Sequence, residues 1–145
     1  MNLSPQRITL VTLGVKDLAS SMTFYAQLGW KPVDVTPGVA FYQANGLGLG
    51  LFGRDNLASD QGRPSADLGT GASTLAQNFS TQEEVNAAFQ IALDAGARVL
   101  KSPEAVFWGG YSGYWADPDG HVWEYAMNPF WTLNDDGSLT LPHPS

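Results

Sequence analysis

The chain repeats one order of elements twice, and that repeat limits its fold more than any other feature. Arg7 to Val15 (RITLVTLGV) is rich in Val, Ile, Leu and Thr and reads as a strand. Asp17 is an N-cap for a helix whose apolar stripe is Leu18, Met22, Tyr25 and Leu28, and Gly29 ends that helix. Trp30 to Val35 and Val39 to Gln43 read as strands closed by Pro37-Gly38 and Asn45-Gly46. Leu47 to Phe52 alternates Leu with Gly, a strand that lets another backbone come close. The pattern then restarts. Ala72 to Phe79 is strand-like, and Thr81 to Glu84 is a capping box before a helix buried through Val85, Phe89 and Leu93. Gly96 ends the second helix as Gly29 ends the first, and Arg98 to Leu100 reads as a short strand before a hairpin.

The order strand, helix, three strands, read twice, predicts two duplicated βαβββ modules. Module one spans residues 5–53, a polar linker or mobile loop 54–71, module two 72–128 and a C-terminal tail 129–145, all in one domain of 145 residues. Neither module can bury its sheet alone. The predicted class is α+β, with a curved, partly closed mixed sheet around a central cavity.

The last hairpin, Phe107 to Met127, carries the chemistry. Asp117-Pro118-Asp119-Gly120 is a turn signal between two strand-like runs. Alternation along His121 to Met127 puts Val122, Glu124 and Ala126 on one face, and His121, Trp123 and Tyr125 on the other. A carboxylate among apolar neighbours is costly to bury without a partner. Glu124 is therefore a functional group or a rim residue, or it pairs structurally with Gln77 or Asn78. Trp108, Tyr111, Tyr114 and Trp115 precede the turn; such aromatics mostly build core and can also wall a flat ligand.

Composition removes several classes of function. Cysteine is absent, which excludes disulfides, thiolate nucleophiles and zinc–thiolate sites. Seven basic residues against fourteen acidic ones give a net charge of −7, so nucleic acid and anionic membrane are poor partners. No apolar run approaches about 18 residues, and MNLSPQR is no signal sequence, so the expected location is the cytoplasm. The only histidines are His121 and His143. His121 reads as a turn residue whose ring bonds nearby backbone, and His143 as a solvated one.

Val15-Lys16-Asp17-Leu18, Phe24-Tyr25, Leu28-Gly29-Trp30, Asp117-Pro118-Asp119-Gly120-His121 and Trp123-Glu124 together resemble the vicinal oxygen chelate superfamily. That superfamily includes glyoxalase I, extradiol dioxygenases and bleomycin- and fosfomycin-resistance proteins. The resemblance covers nearly the whole chain and implies four strand positions that hold a divalent ion in the metalloenzymes. Here they fall at Leu10, Gly50, Thr74 and Glu124. Only Glu124 is a ligand of the usual kind.

The resemblance therefore implies a metal-independent protein of the bleomycin-resistance type, with no cofactor. It would bind an aromatic or amphipathic small molecule through Thr74, Gln77, Asn78, Trp108, Tyr111, Tyr114, Trp115 and Glu124. The alternative is a glyoxalase-like lyase, isomerase or dioxygenase in which Glu124 is the catalytic base or a lone metal ligand, completed by Thr74, Gln77 or a second chain. Family members commonly dimerise, and the tail aromatics Phe130 and Trp131 need cover, so a homodimer is expected.

Overall fold

The computed structural model describes residues 3–143. Module one contains β1 (Leu10–Val15), α1 (Leu18–Gln27), β2 (Pro32–Thr36), β3 (Val39–Gln43) and β4 (Gly48–Gly53). A short helix, α2 (Arg54–Asp60), follows. Then come β5 (Thr74–Asn78), α3 (Gln82–Asp94), β6 (Arg98–Ala105), β7 (Tyr111–Ala116) and β8 (Val122–Met127). The strands form two four-stranded sheets, ordered β1-β4-β3-β2 and β5-β8-β7-β6. In each sheet the first pair is parallel and the others antiparallel. The fold is α+β, two βαβββ modules whose mixed sheets are not closed into a barrel.

Local chemistry sets the helix ends. Asp17 accepts a hydrogen bond from the Ser20 backbone N–H at 3.1 Å, and Thr81 Oγ1 accepts from that of Glu84 at 3.1 Å. Gly29 and Gly96 leave the helices at φ of 96° and 111°, a region open to glycine without strain.

A single hydrophobic cluster joins the modules. It takes Leu13 and Val15 from β1, Leu49 and Leu51 from β4, Trp115 from β7, and Trp123 and Tyr125 from β8. Phe24 and Tyr25 of α1 and Val85 and Phe89 of α3 fill the space between. Trp115 stacks on Trp123 across β7 and β8, centroids 5.6 Å apart and planes 8° from parallel. Helix α1 packs on β3 and β4, and it also reaches the other sheet: Phe24 lies 5.6 Å from Trp115 and Tyr25 6.1 Å from Trp123. Each sheet thus turns one row of side chains inward and the alternate row outward.

Two segments differ from the sequence reading. The polar stretch expected to be a linker begins with α2, which packs on β1 and β4. A Cβ on Gly14 would come within 3.2 Å of Leu57 Cδ2, so the absent side chain makes room for this helix. Strand β6 runs on to Ala105, through Pro103. It is an edge strand, so the missing proline N–H interrupts no inner ladder. The tail forms a small hairpin with a bridge between Leu133 and Leu139. Among the described residues, no helix is long and apolar enough to cross a membrane.

Candidate functional site

The turn before β8 is built by Asp117. Its Oδ1 accepts from the backbone N–H groups of Asp119 at 3.0 Å and His121 at 2.9 Å. Its Oδ2 accepts from the Tyr25 hydroxyl at 2.7 Å, and that hydroxyl accepts from Trp123 Nε1 at 3.0 Å. Burial, then the Asp117 charge, push the Tyr25 phenol far above its ordinary pKa, so it stays a neutral donor. Two more bonds tie the turn to the end of β1. Asp119 Oδ1 accepts from Lys16 N–H at 2.7 Å, and His121 Nε2 lies 2.7 Å from the Gly14 carbonyl oxygen. A carbonyl only accepts, so that nitrogen carries the proton. His121 thus bonds backbone, but that of the other module.

β8 separates its two faces as alternation requires. Trp123 and Tyr125 enter the core, while Glu124 points to the outer face opposite Tyr114 on β7. Burial, then the Glu124 charge and hydrogen bond, raise the Tyr114 pKa and hold it as a neutral phenol beside the carboxylate. Ala76 is the register partner of Glu124 on β5, so Thr74, two residues earlier, shares this face. Thr74 and Ala76 are exposed.

The equivalent row of the other sheet carries Leu10, Thr12, Gly50 and Phe41. A Cβ on Gly50 would meet Thr12 Oγ1 at 3.2 Å and Phe41 Cε1 at 3.3 Å, so these neighbours occupy its space. Leu10 and Gly50 thus lie on one sheet, Thr74 and Glu124 on the other. Leu10 and Gly50 bring no donor atoms. Among the described residues no group of three or more His, Asp or Glu could hold a metal ion. The residues of one chain at these positions do not fit a divalent cation.

The remaining predicted residues disperse. Trp115 is fully buried in the core, where it stacks on Trp123 and offers no open face. Trp108 lies directly over Gly110 in the β6–β7 turn, and Tyr111 Oη donates to Asn86 Oδ1 on α3 at 2.7 Å. These two brace the hairpin. Gln77 and Asn78 line a cavity of about 710 Å³ between the modules, with Trp30 and Trp123 among its walls. Glu124 and Thr74 do not line it. A second cavity of about 500 Å³ lies beside β1 and α2 and includes Arg63 and His121. The sequence reading missed Tyr25, Asp117, Trp30 and Trp131 as site-forming residues. A signal existed for Asp117, since an aspartate opening a turn bonds backbone N–H groups ahead of it.

Residues 7–125 match the model of the Glyoxalase/Bleomycin resistance protein/Dioxygenase superfamily. The structure is similar to a glyoxalase-related enzyme from Fulvimarina pelagi, 39% identical with a TM-score of 0.89, covering 95% of this chain and 99% of that one. A family enzyme from Burkholderia phytofirmans PsJN shares the fold at 20% identity and a TM-score of 0.72, covering 82% of this chain and 96% of that one. One from Nocardioides does so at 24% and 0.73, covering 87% and 85%. Among the curated proteins compared, none matches. Matched over most of its length by the family model, this chain belongs to the Glyoxalase/Bleomycin resistance protein/Dioxygenase superfamily.

Proposed function

We propose that the protein binds an aromatic or amphipathic small molecule without a metal ion, on the outer face that carries Glu124, Tyr114 and Thr74. The observation that carries this reading is the donor set. Of the four positions Leu10, Gly50, Thr74 and Glu124, only Glu124 is a carboxylate, and its neighbour is the Tyr114 phenol rather than further ligands. The face is open in one chain, and a second copy supplies the opposing wall, so the working unit is a cytoplasmic homodimer. The net charge of −7 favours approach of a cationic compound.

A specific observation favours a second reading. Glu124 beside a neutral phenol is an acid–base pair, and the Fulvimarina pelagi relative is described as an enzyme. In a glyoxalase-like reaction Glu124 would take a proton from bound substrate, while the Tyr114 hydroxyl, which donates to that carboxylate, would hold it in place.

Metal analysis of purified protein, with ligand titration before and after chelator treatment, separates these. The binding reading expects no stoichiometric metal and unchanged affinity after chelation. Tightly bound Ni, Fe, Mn or Zn at one per chain would falsify it. Glu124→Gln weakens binding in the first reading, whereas in the second it abolishes turnover of an identified substrate while the fold persists.

A further inference from the structure

Strand β5 leaves one edge unpaired. It bonds only to β8, in a parallel register from Thr74 opposite Val122 to Asn78 opposite Ala126. The Phe79 N–H donates to the Ala126 carbonyl at 2.8 Å, which sets the parity of that ladder. In a parallel pair a residue turns its N–H and C=O to one side, and successive residues alternate. Leu75 and Gln77 therefore bond β8, whereas Thr74, Ala76 and Asn78 turn both main-chain groups away from it. Among the described residues none of these outward groups meets a partner.

This edge is also the one that the chain does not protect. Free edges recruit other strands unless charge, proline or a bulge blunts them. Strand β2 carries Pro32, Asp34 and a bulge between them, and β6 carries Lys101, Pro103 and Glu104 with two register shifts. At the end of β1 the Gly14 carbonyl and the Lys16 N–H are taken by His121 and Asp119. Strand β5 reads TLAQN, with no charge, no proline and an unbroken register, and its Thr74, Ala76 and Gln77 are exposed.

The cavity of about 710 Å³ follows the same edge. Leu75 and Gln77 face one side of the sheet and Ala76 and Asn78 the other, yet all of them line it, so it runs along the strand rather than over one face. Val11 of β1 lines it too, and Leu49 and Trp131 add apolar wall. A second copy docking here through its own sheet would bring a neighbouring strand onto β1, whereas a lone segment fills the gap. We propose that β5 docks a short extended peptide, which adds as a strand along Thr74–Asn78 and places one apolar side chain in the cavity. The net charge of −7 selects against acidic peptides.

The test titrates acetyl-Lys-Val-Thr-Val-Lys-amide into the full chain by calorimetry. The control is the same peptide N-methylated on two successive residues, which keeps its charge and side chains but blocks strand pairing on both of its edges. Saturable binding at one peptide per chain is expected, with none for the methylated form. Ala76→Pro removes an outward N–H and leaves the β8 ladder whole, because β8 bonds the residues on either side of it. It should weaken the peptide by about tenfold, the scale of one main-chain hydrogen bond. The proposal is overturned if the peptide does not saturate below about 1 mM, the weak end of specific binding. It is also overturned if the methylated peptide binds as tightly, or if Ala76→Pro binds like the parent. A peptide that does not bind, with Ala76→Pro halving the mass in light scattering, would assign the edge to a second copy and overturn it as well. Should Ala76→Pro fail to fold by circular dichroism, Asn78→Pro at the last residue of β5 decides the outcome in the same way.

Discussion

Single residues hold the join between the modules. Tyr25 donates to one buried oxygen of Asp117 and accepts from Trp123, so removing its hydroxyl orphans two buried groups. Tyr25→Phe should cost about 1–3 kcal/mol, read as a lower urea midpoint at unchanged slope. Gly113 is as constrained as any buried side chain. A Cβ there would sit 2.8 Å from Pro103 N and 2.9 Å from the Lys101 carbonyl, both backbone atoms that cannot swing aside. Gly113→Ala should destabilise by about 1–3 kcal/mol in the same assay. Burial raises the pKa of Tyr25 and of Tyr125 above the ordinary 10.0. The folded state then favours the protonated phenols. Their contribution is fully present below about pH 10 and is lost as pH climbs from there towards the folded values. Thermal melts should be level in this respect from pH 7 to about 9 and fall above 10, less steeply in Tyr25→Phe.

At the level of elements, signals carried by short-range chemistry were legible. Asp17, Thr81, Gly29 and Gly96 mark helix ends because capping involves only neighbouring residues. Thr81→Ala should cost about 1 kcal/mol, measured by chemical unfolding, since Glu84 N–H loses its acceptor. Helix α2 was not legible. Leu57 and Ala58 are its only apolar residues, too few for a periodic stripe, and its support comes from the space above Gly14. The length of β6 was hidden for a related reason. Pro103 forbids an inner strand, and only the tertiary order shows that β6 lies at an edge.

At the level of the whole molecule, the site depends on what covers the outer faces. If a second copy closes the Glu124 face, light scattering should report twice the chain mass of 15.6 kDa at micromolar concentration. Ala76→Arg places a charge on that exposed face. It should shift the scattering to a single chain while the melting transition persists, and a dimer that ignores it would place the contact elsewhere. The candidate site was only partly readable from sequence for the same physical reason. Glu124 and Tyr114 do meet, because cross-strand neighbours follow from the hairpin. Trp115 went instead to the core, and Gln77 and Asn78 to the cavity between modules.

Alternation along β8 was enough, from the chain alone, to separate Trp123 and Tyr125 from Glu124, and the repeated element order was enough to define two like modules. Those properties reside in neighbouring residues and in spacing. Which face of each sheet is covered was decided only when the modules packed. Placing Trp115, Trp123 and Tyr125 against α1 and α3 removes large apolar surfaces from water, while turning Glu124 inward would strip a carboxylate of solvent. Parity is a local property of a strand, but the partner a face meets comes from residues as much as 107 positions apart, as Gly14 and His121 are.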